Sequence, residues 1–270
     1  MPELPEVETT RLGLQPHAEG HVIAAVTVRQ PQLRWPVPDA IGRAVDQEVT
    51  RLERRGKWLI WRLSDGSLLW HLGMSGSFRV WDNPPAPARH DHIDVIFDAG
   101  HVIRYTDPRR FGALLWGGSD PLAHPRLASL GPEPLGGDFS GQWLYRLGRS
   151  RRVAVKNFIM NAAVVVGVGN IYACEALFSA GIDPRRAAGR ISLQRYQRLA
   201  EQIRTTLGQA IEAGGTTLSD FTDSRGQPGY FAQKLSVYGR EGRPCRACAQ
   251  PVRRIVQGQR STFFCARCQR

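Results

Sequence analysis

Four cysteines near the end of the chain are spaced Cys245-x2-Cys248-x16-Cys265-x2-Cys268, and nothing else in the sequence restricts the fold as tightly. Two C-x-x-C pairs supply tetrahedral sulfur ligation, and the sixteen-residue spacer is the right length for one β-hairpin. That pattern reads as a structural zinc site, because four protein ligands leave no open position for catalysis. Two disulfides are the alternative pairing, which a reducing cytoplasm disfavours. The fifth cysteine, Cys174, reads as a small buried residue.

From His21 to about Trp116 the pattern is one of short strands. Val22-Ile23-Ala24-Ala25-Val26-Thr27-Val28 is β-rich. Residues 57–63 and 67–72 flank a Ser64-Asp65-Gly66 turn, and residues 92–97 and 102–105 flank Asp98-Ala99-Gly100 in the same way. Strands this short and closely spaced predict a β-sandwich or barrel. An opening helix with Val7, Leu12 and Leu14, stopped by Gly20, packs against it. Residues 117–140 are rich in Gly and Pro without long periodicity and mark a domain boundary. Beyond them the pattern becomes helical. A helix capped by Ser192 is expected to bury Leu193, Tyr196, Leu199, Ile203, Leu207 and Ile211 and to stop at Gly214-Gly215. A shorter helix after Asn170 carries Ala173, Ala176 and Leu177 and ends near Gly181, and residues 239–270 form the zinc hairpin.

The net charge of +12 on 270 residues predicts attraction to a polyanion, of which nucleic acid is the commonest. A membrane surface is the rival partner. No apolar run approaches the length of a membrane span, and no basic amphipathic helix has a bulky apolar face. No signal peptide precedes the N-terminal motif, so the expectation is a cytoplasmic protein. The charge is also concentrated. Residues 239–270 hold eight arginines against the single acid Glu241, and Arg146, Arg149, Arg151, Arg152 and Lys156 form an acid-free run. Such clusters suit phosphate binding, where each neutralised phosphate releases a counterion.

The start of the chain, Met1-Pro2-Glu3-Leu4-Pro5-Glu6-Val7-Glu8, points to chemistry. A small second residue allows initiator Met removal, leaving Pro2 with a secondary α-amine that titrates far below a lysine. Such an amine attacks electrophilic carbon and forms a Schiff base, and Glu3 beside it is a ready acid/base partner. The bland alternative is a helix start, where proline and acids are at home. Two further segments suit a base-extruding enzyme. Tyr105-Thr106-Asp107-Pro108-Arg109-Arg110-Phe111-Gly112 shows Arg and Phe together in one loop, and His71-Leu72-Gly73-Met74-Ser75-Gly76 offers a Met on a glycine-flanked turn. Either side chain can wedge between bases or simply pack in a core. Gly167-Val168-Gly169-Asn170 can bring backbone amides to a phosphate at a helix start, and the full dinucleotide-binding glycine pattern is absent.

Together these segments resemble the formamidopyrimidine-DNA glycosylase family. The resemblance runs end to end: the MPELPEVE start, RRGKWL around Lys57, HLGMSG, RYTDPRRFG, VGVGNIYACEALF, GGTTL, PGYFAQ and the zinc hairpin. It implies an α+β multidomain chain: a β-sandwich with a catalytic helix in residues 1–130, a helix-two-turn-helix domain in 131–235 and a zinc-finger β-hairpin in 236–270. DNA would lie between them. By the same resemblance Pro2 is the nucleophile at C1′ and Glu3 the acid/base that assists ring opening. Lys57 contacts phosphate and serves β-elimination, and Arg260 grips the phosphates around the lesion and serves δ-elimination. Met74 and Arg109 fill the space of the flipped nucleotide while Phe111 wedges the stack. His90, Arg151 and Asn170 are further DNA contacts, with Arg152 able to replace Arg151. The resemblance implies one structural zinc ion and no organic cofactor. It further implies action on double-stranded DNA with an oxidised purine, in a bacterial cytoplasm and at the nucleoid, and one active site per chain suggests a monomer.

Two alternatives stay open. One is the related endonuclease VIII branch, which prefers oxidised pyrimidines, although Leu4, Pro5-Glu6-Val7 and the Met74, Arg109, Phe111 set favour the purine branch. The other is a zinc-hairpin lesion-binding protein without catalysis, for which Pro2, Glu3, Lys57 and Arg260 together would be superfluous. The polar stretch 219–230, with Gly226 and Gly229, is expected to form a loop over the extruded base.

Overall fold

The structure is a computed structural model that describes residues 2–215 and 234–270. The chain divides into two compact units: Met1–Ser129 with Ala213–Tyr230, and Leu130–Glu212 with Phe231–Arg270.

The first unit opens with α1 (Leu4–Ala18), followed by β1 (Ile23–Val28), β2 (Val49–Arg55), β3 (Trp58–Leu63) and β4 (Ser67–His71). Then come β5 (Ser77–Trp81), β6 (Asp91–Phe97), β7 (Val102–Thr106) and β8 (Ala113–Trp116). They form two four-stranded sheets, ordered β1-β6-β7-β5 and β2-β3-β4-β8, in which every pair is antiparallel. The two hairpins expected from turn chemistry are present, β3 with β4 and β6 with β7. Gly66 turns the first with φ +92°, and a Cβ there would lie 2.4 Å from the Trp116 ring, so only glycine fits. The sheets face one another across an aromatic core: Trp70 of β4 lies 5.0 Å from Phe78 of β5 and 5.4 Å from Tyr105 of β7, ring centre to ring centre. This is the sandwich expected from the strand pattern.

α1 lies against β2, the edge strand of its sheet. An exposed edge leaves backbone groups unpaired, and here helix side chains meet them. Glu19 accepts the Leu52 N–H at 2.7 Å and Arg11 donates to the Leu52 carbonyl at 3.3 Å. Arg54 of β2 in turn pairs with Glu8 at 2.8 Å. Leu4, Val7, Leu14 and Ala18 make the buried stripe. Leu12, expected to join it, is 47 % exposed, because its position falls on the far side of the 3.6-residue repeat from Leu14.

The second unit holds α2 (Gly141–Gly148), α3 (Val155–Ile159), α4 (Asn170–Ser179), α5 (Leu193–Glu212), β9 (Arg253–Gln257) and β10 (Arg260–Phe264). α5 ends where Gly214 and Gly215 take φ of +72° and +83°. It buries Tyr196, Leu199, Ile203 and Leu207 as expected, but Leu193 and Ile211 at its ends are only half-buried. α2 packs so closely on α5 that a Cβ on Gly141 would meet the Gln197 backbone at 2.3 Å. β9 and β10 form the expected hairpin, paired from Gln257 with Arg260 to Arg253 with Phe264. Among the described residues no helix is long and apolar enough to cross a membrane.

Candidate active site and zinc centre

In the first unit, Pro2 and Glu3 are buried at the start of α1. Glu3 is the N-cap residue, and its N–H donates to the Glu6 carboxylate at 2.8 Å in a capping box. The helix therefore begins at a fixed point, and Pro2 is held one residue before it. Lys57 occupies the turn between β2 and β3, beside Gly56 with φ +59°. Its charge is felt by His71 at the end of β4. Burial first, then the Lys57 and Arg34 charges, lower the His71 pKa from 6.5 to about 4, so at neutral pH the imidazole is uncharged. In that state its Nδ1 accepts the Gly73 N–H at 2.9 Å and fixes the turn that carries Met74.

The loop 107–112 and the turn 72–76 are one assembly. A Cβ on Gly73 would lie 2.2 Å from the Phe111 carbonyl carbon, so the two backbones touch. Phe111 is left 44 % exposed, an uncommon position for an aromatic ring, and the Arg109 guanidinium sits 5.0 Å from its centre. Met74 is half-buried. The sequence motif contained Asp107, yet its part was not foreseen: the carboxylate beneath the loop is fully buried and takes hydrogen bonds from Ser75, Tyr105, Arg109 and Gly112. Burial, and then the nearby Asp107 charge, raise the Tyr105 phenol well above its ordinary value, so it stays protonated and donates. His90, at the half-buried end of the preceding loop, accepts the Asp107 N–H through its carbonyl at 3.0 Å.

The second unit gathers Asn170, Arg260 and the cysteines. The Asn170 side chain donates to the Ser261 carbonyl at 2.9 Å, next to Arg260, which is exposed on the hairpin. Among the described residues the other amide atom, Asn170 Oδ1, has no partner. Arg151 and Arg152 are both exposed ahead of α3. Lys156 departs from the expected basic run. It is fully buried and donates to Thr262 Oγ1 at 2.7 Å and to the Ser261 carbonyl at 3.3 Å. It pins β10 from beneath. Glu175 of α4 does similar work, accepting the N–H groups of Ser236, Val237 and Tyr238 at 2.8–2.9 Å. Neither role was visible in the sequence, where a buried lysine in an arginine run looks like its neighbours.

The four cysteine sulfurs lie within 4.8 Å of one another. The Cys248–Cys265 and Cys245–Cys268 pairs are 3.4 and 4.0 Å apart. Tetrahedral zinc with sulfur bonds of about 2.3 Å requires sulfurs about 3.8 Å apart, so the donor set fits a structural zinc ion. Cys174 is 1 % exposed and packs with Val237, Val252 and Phe263 under this site, the small buried residue expected. Residues 219–230, expected to cover the extruded base, lie outside the described residues.

Comparison with known proteins agrees with this layout. Residues 1–114 match the formamidopyrimidine-DNA glycosylase N-terminal domain, residues 130–222 its H2TH domain, and residues 242–270 the zinc finger found in FPG and IleRS. Formamidopyrimidine-DNA glycosylases of Alcanivorax borkumensis and Stutzerimonas stutzeri are 58 % and 57 % identical, each over 100 % of both chains. Among solved structures, MutM (Fpg) of Thermus thermophilus aligns with a TM-score of 0.90 at 38 % identity, over 99 % of this chain and 98 % of that one. Lactococcus lactis Fpg, in complex with abasic-site DNA, aligns with a TM-score of 0.91 at 30 % identity over 99 % of each. The chain belongs to the formamidopyrimidine-DNA glycosylase family, whose activity is base-excision repair by a combined DNA glycosylase and AP lyase.

Proposed function

We propose that this chain removes oxidised purines, 8-oxoguanine and formamidopyrimidines, from duplex DNA and then cuts the strand, with Pro2 as its nucleophile. The observation that carries this reading is the exposed Phe111 ring with the Arg109 guanidinium beside it. An apolar wedge next to a cation suits insertion into a base stack, and a damaged base must leave the duplex before an amine can reach C1′. Met74 and Arg109 fill the vacated space.

Removal of Met1 frees the Pro2 secondary amine, which is substantially neutral near pH 8. It attacks C1′ while Glu3 assists ring opening, and the glycosidic bond breaks as the base leaves. The resulting iminium acidifies the C2′ proton. Elimination then breaks the strand on the 3′ side, with Lys57 serving this step, and on the 5′ side, with Arg260 gripping the phosphates. The products are a free base and a one-nucleotide gap with phosphate ends. His90, Arg151 and Asn170 contact the DNA. Zinc holds the hairpin that presents Arg260, and no organic cofactor takes part. In this reading the work divides over residues 1–130, 131–235 and 236–270, in a monomer with one active site.

Borohydride trapping on a duplex with 8-oxoguanine opposite cytosine, followed by peptide mapping, tests the reading. A covalent adduct at Pro2 is expected, absent with undamaged DNA and weakened in Pro2→Gly. Tight binding with no adduct would favour a lesion-binding module. Lactococcus lactis Fpg has been solved with oxidised-pyrimidine DNA, so a pyrimidine duplex belongs in the panel, and an adduct with that duplex alone would move the chain to the sister branch.

A further inference from the structure

We propose that Asp107 is a positioning residue that locks the 72–76 turn to the 107–112 loop, so that Met74, Arg109 and Phe111 enter the duplex as one preassembled probe. The proposal rests on the function given above.

The arrangement of donors supports it. Asp107 Oδ1 accepts the Ser75 hydroxyl at 2.6 Å and the Arg109 N–H at 3.3 Å, while Oδ2 accepts the Gly112 N–H at 2.8 Å and the Tyr105 hydroxyl at 3.2 Å. All four donors are uncharged. Burying a carboxylate is costly unless several hydrogen bonds meet it, and here each oxygen serves a different part of the assembly. Oδ1 holds the Met74 turn through Ser75, whose Oγ also accepts the Arg109 N–H at 3.1 Å. Oδ2 holds the return of the loop at Gly112, one residue past Phe111. The backbone of Asp107 extends the lock, with its carbonyl accepting from His92 Nε2 at 2.8 Å and from the Arg110 N–H at 3.2 Å.

The loop requires such a lock. Arg110 sits at φ +55°, a left-handed conformation that a non-glycine residue keeps only when its surroundings enforce it. A loop free to relax would lose the stacking of Arg109 on Phe111 and would order itself anew at each encounter with DNA, at an entropic cost to insertion. Asparagine cannot replace the aspartate. It keeps one acceptor oxygen and turns an amide donor toward the other pair of donors.

The test uses wild type, Asp107→Asn, Phe111→Ala and the double variant on two substrates. One is an 8-oxoguanine:cytosine duplex, read as single-turnover excision. The other is a single-stranded abasic oligonucleotide, read as borohydride trapping, where no stack has to be opened. Asp107→Asn should slow duplex excision about 30- to 100-fold and single-strand trapping less than about 3-fold, the split expected of a residue that acts only through positioning. The double variant should be no slower on the duplex than the slower single variant by more than about 3-fold, since both changes disable one probe. Proportional losses on both substrates, or losses that multiply in the double variant, would overturn the proposal. Should Asp107→Asn fail to fold, Ser75→Ala removes the bridging hydroxyl alone and should show the same selectivity at about 5- to 10-fold; equal effects on both substrates would then overturn it. A wild type that ignores 8-oxoguanine contradicts the functional reading instead, and the variants are then compared on an abasic duplex against the single strand, with the same split required.

Discussion

The chain presents Arg109 on a loop and Arg260 on a strand of a hairpin, and the two are held in different ways. Arg109 stands on a loop backed by a large aromatic core, with Trp61, Trp70, Phe78 and Tyr105 all buried beneath it, and a buried carboxylate ties down its backbone. Arg260 stands on a two-stranded hairpin whose apolar support is a handful of residues around Cys174, Val237, Val252 and Phe263. Four sulfurs, a buried lysine and the Asn170 amide tie that one down. A sandwich carries a large apolar core of its own, whereas so small a hairpin buries little apolar surface and must be cross-linked. Hydrogen bonding thus ties down the one region, and a four-sulfur metal site together with hydrogen bonds ties down the other.

The strongest way to break this contrast is to remove the metal. Chelation, or Cys265→Ser, should lower duplex affinity by at least about 100-fold because hairpin folding and metal binding are one equilibrium. Pro2 trapping on a short single-stranded abasic oligonucleotide should fall far less. Gel shift and trapping in parallel measure both, and equal loss would show that the first unit also depends on zinc. Next in size is His71, whose neutral ring holds the Met74 turn. Its folded pKa of about 4 lies below the ordinary 6.5, so between these values the unfolded chain takes up a proton that the folded chain refuses. Its contribution to stability is complete above about pH 6.5 and is lost as pH falls toward 4, by up to about 3 kcal/mol. His71→Gln keeps an acceptor and should flatten that slope, as read from urea midpoints at pH 7 and pH 4.5. An unchanged slope would remove His71 from the account.

Lys156→Met sharpens the other side. Losing charged hydrogen bonds to Thr262 and Ser261 should cost about 2 kcal/mol of stability with zinc content unchanged, measured by denaturant unfolding and metal analysis; full stability would show that Lys156 does not hold the hairpin. The smallest effect is expected from Arg260→Ala in salt titrations. If Arg260 neutralises one phosphate, the slope of log affinity against log salt should shrink by about 0.9, and an identical slope would take it off the phosphates.

Much of this was legible in the sequence where a single local rule decides. Gly66 and Gly100 announce their hairpins because only glycine tolerates the φ they need, the cysteine spacing announces the metal, and the glycine pair after α5 announces its end. Features set by distant partners were not legible. β2 reads as a charged stretch because Arg51, Glu53, Arg54 and Arg55 face solvent or α1, and β8 finds β4 only through the sheet order. α3 spans only Val155–Ile159, too short to show a period. In the candidate site the exposed residues, Arg109, Phe111 and Arg260, stood out through their motifs. The residues that support them, the buried Asp107, Lys156 and Glu175 and the half-buried His71, did not, because a polar residue reveals its role only when its partners are known.

Cys174 sits on α4, yet its side chain completes the apolar floor of the zinc hairpin, together with Phe178 and Tyr238. The finger is therefore a poor cassette. Cut out at residues 242–270, it would carry its metal knuckles but leave behind part of the wall against which Val252 and Phe263 pack. An engineer moving it into another scaffold would need to graft the facing surface of the helix as well, and a designer enlarging Cys174 would be reshaping the arginine-bearing hairpin from the helix that supports it.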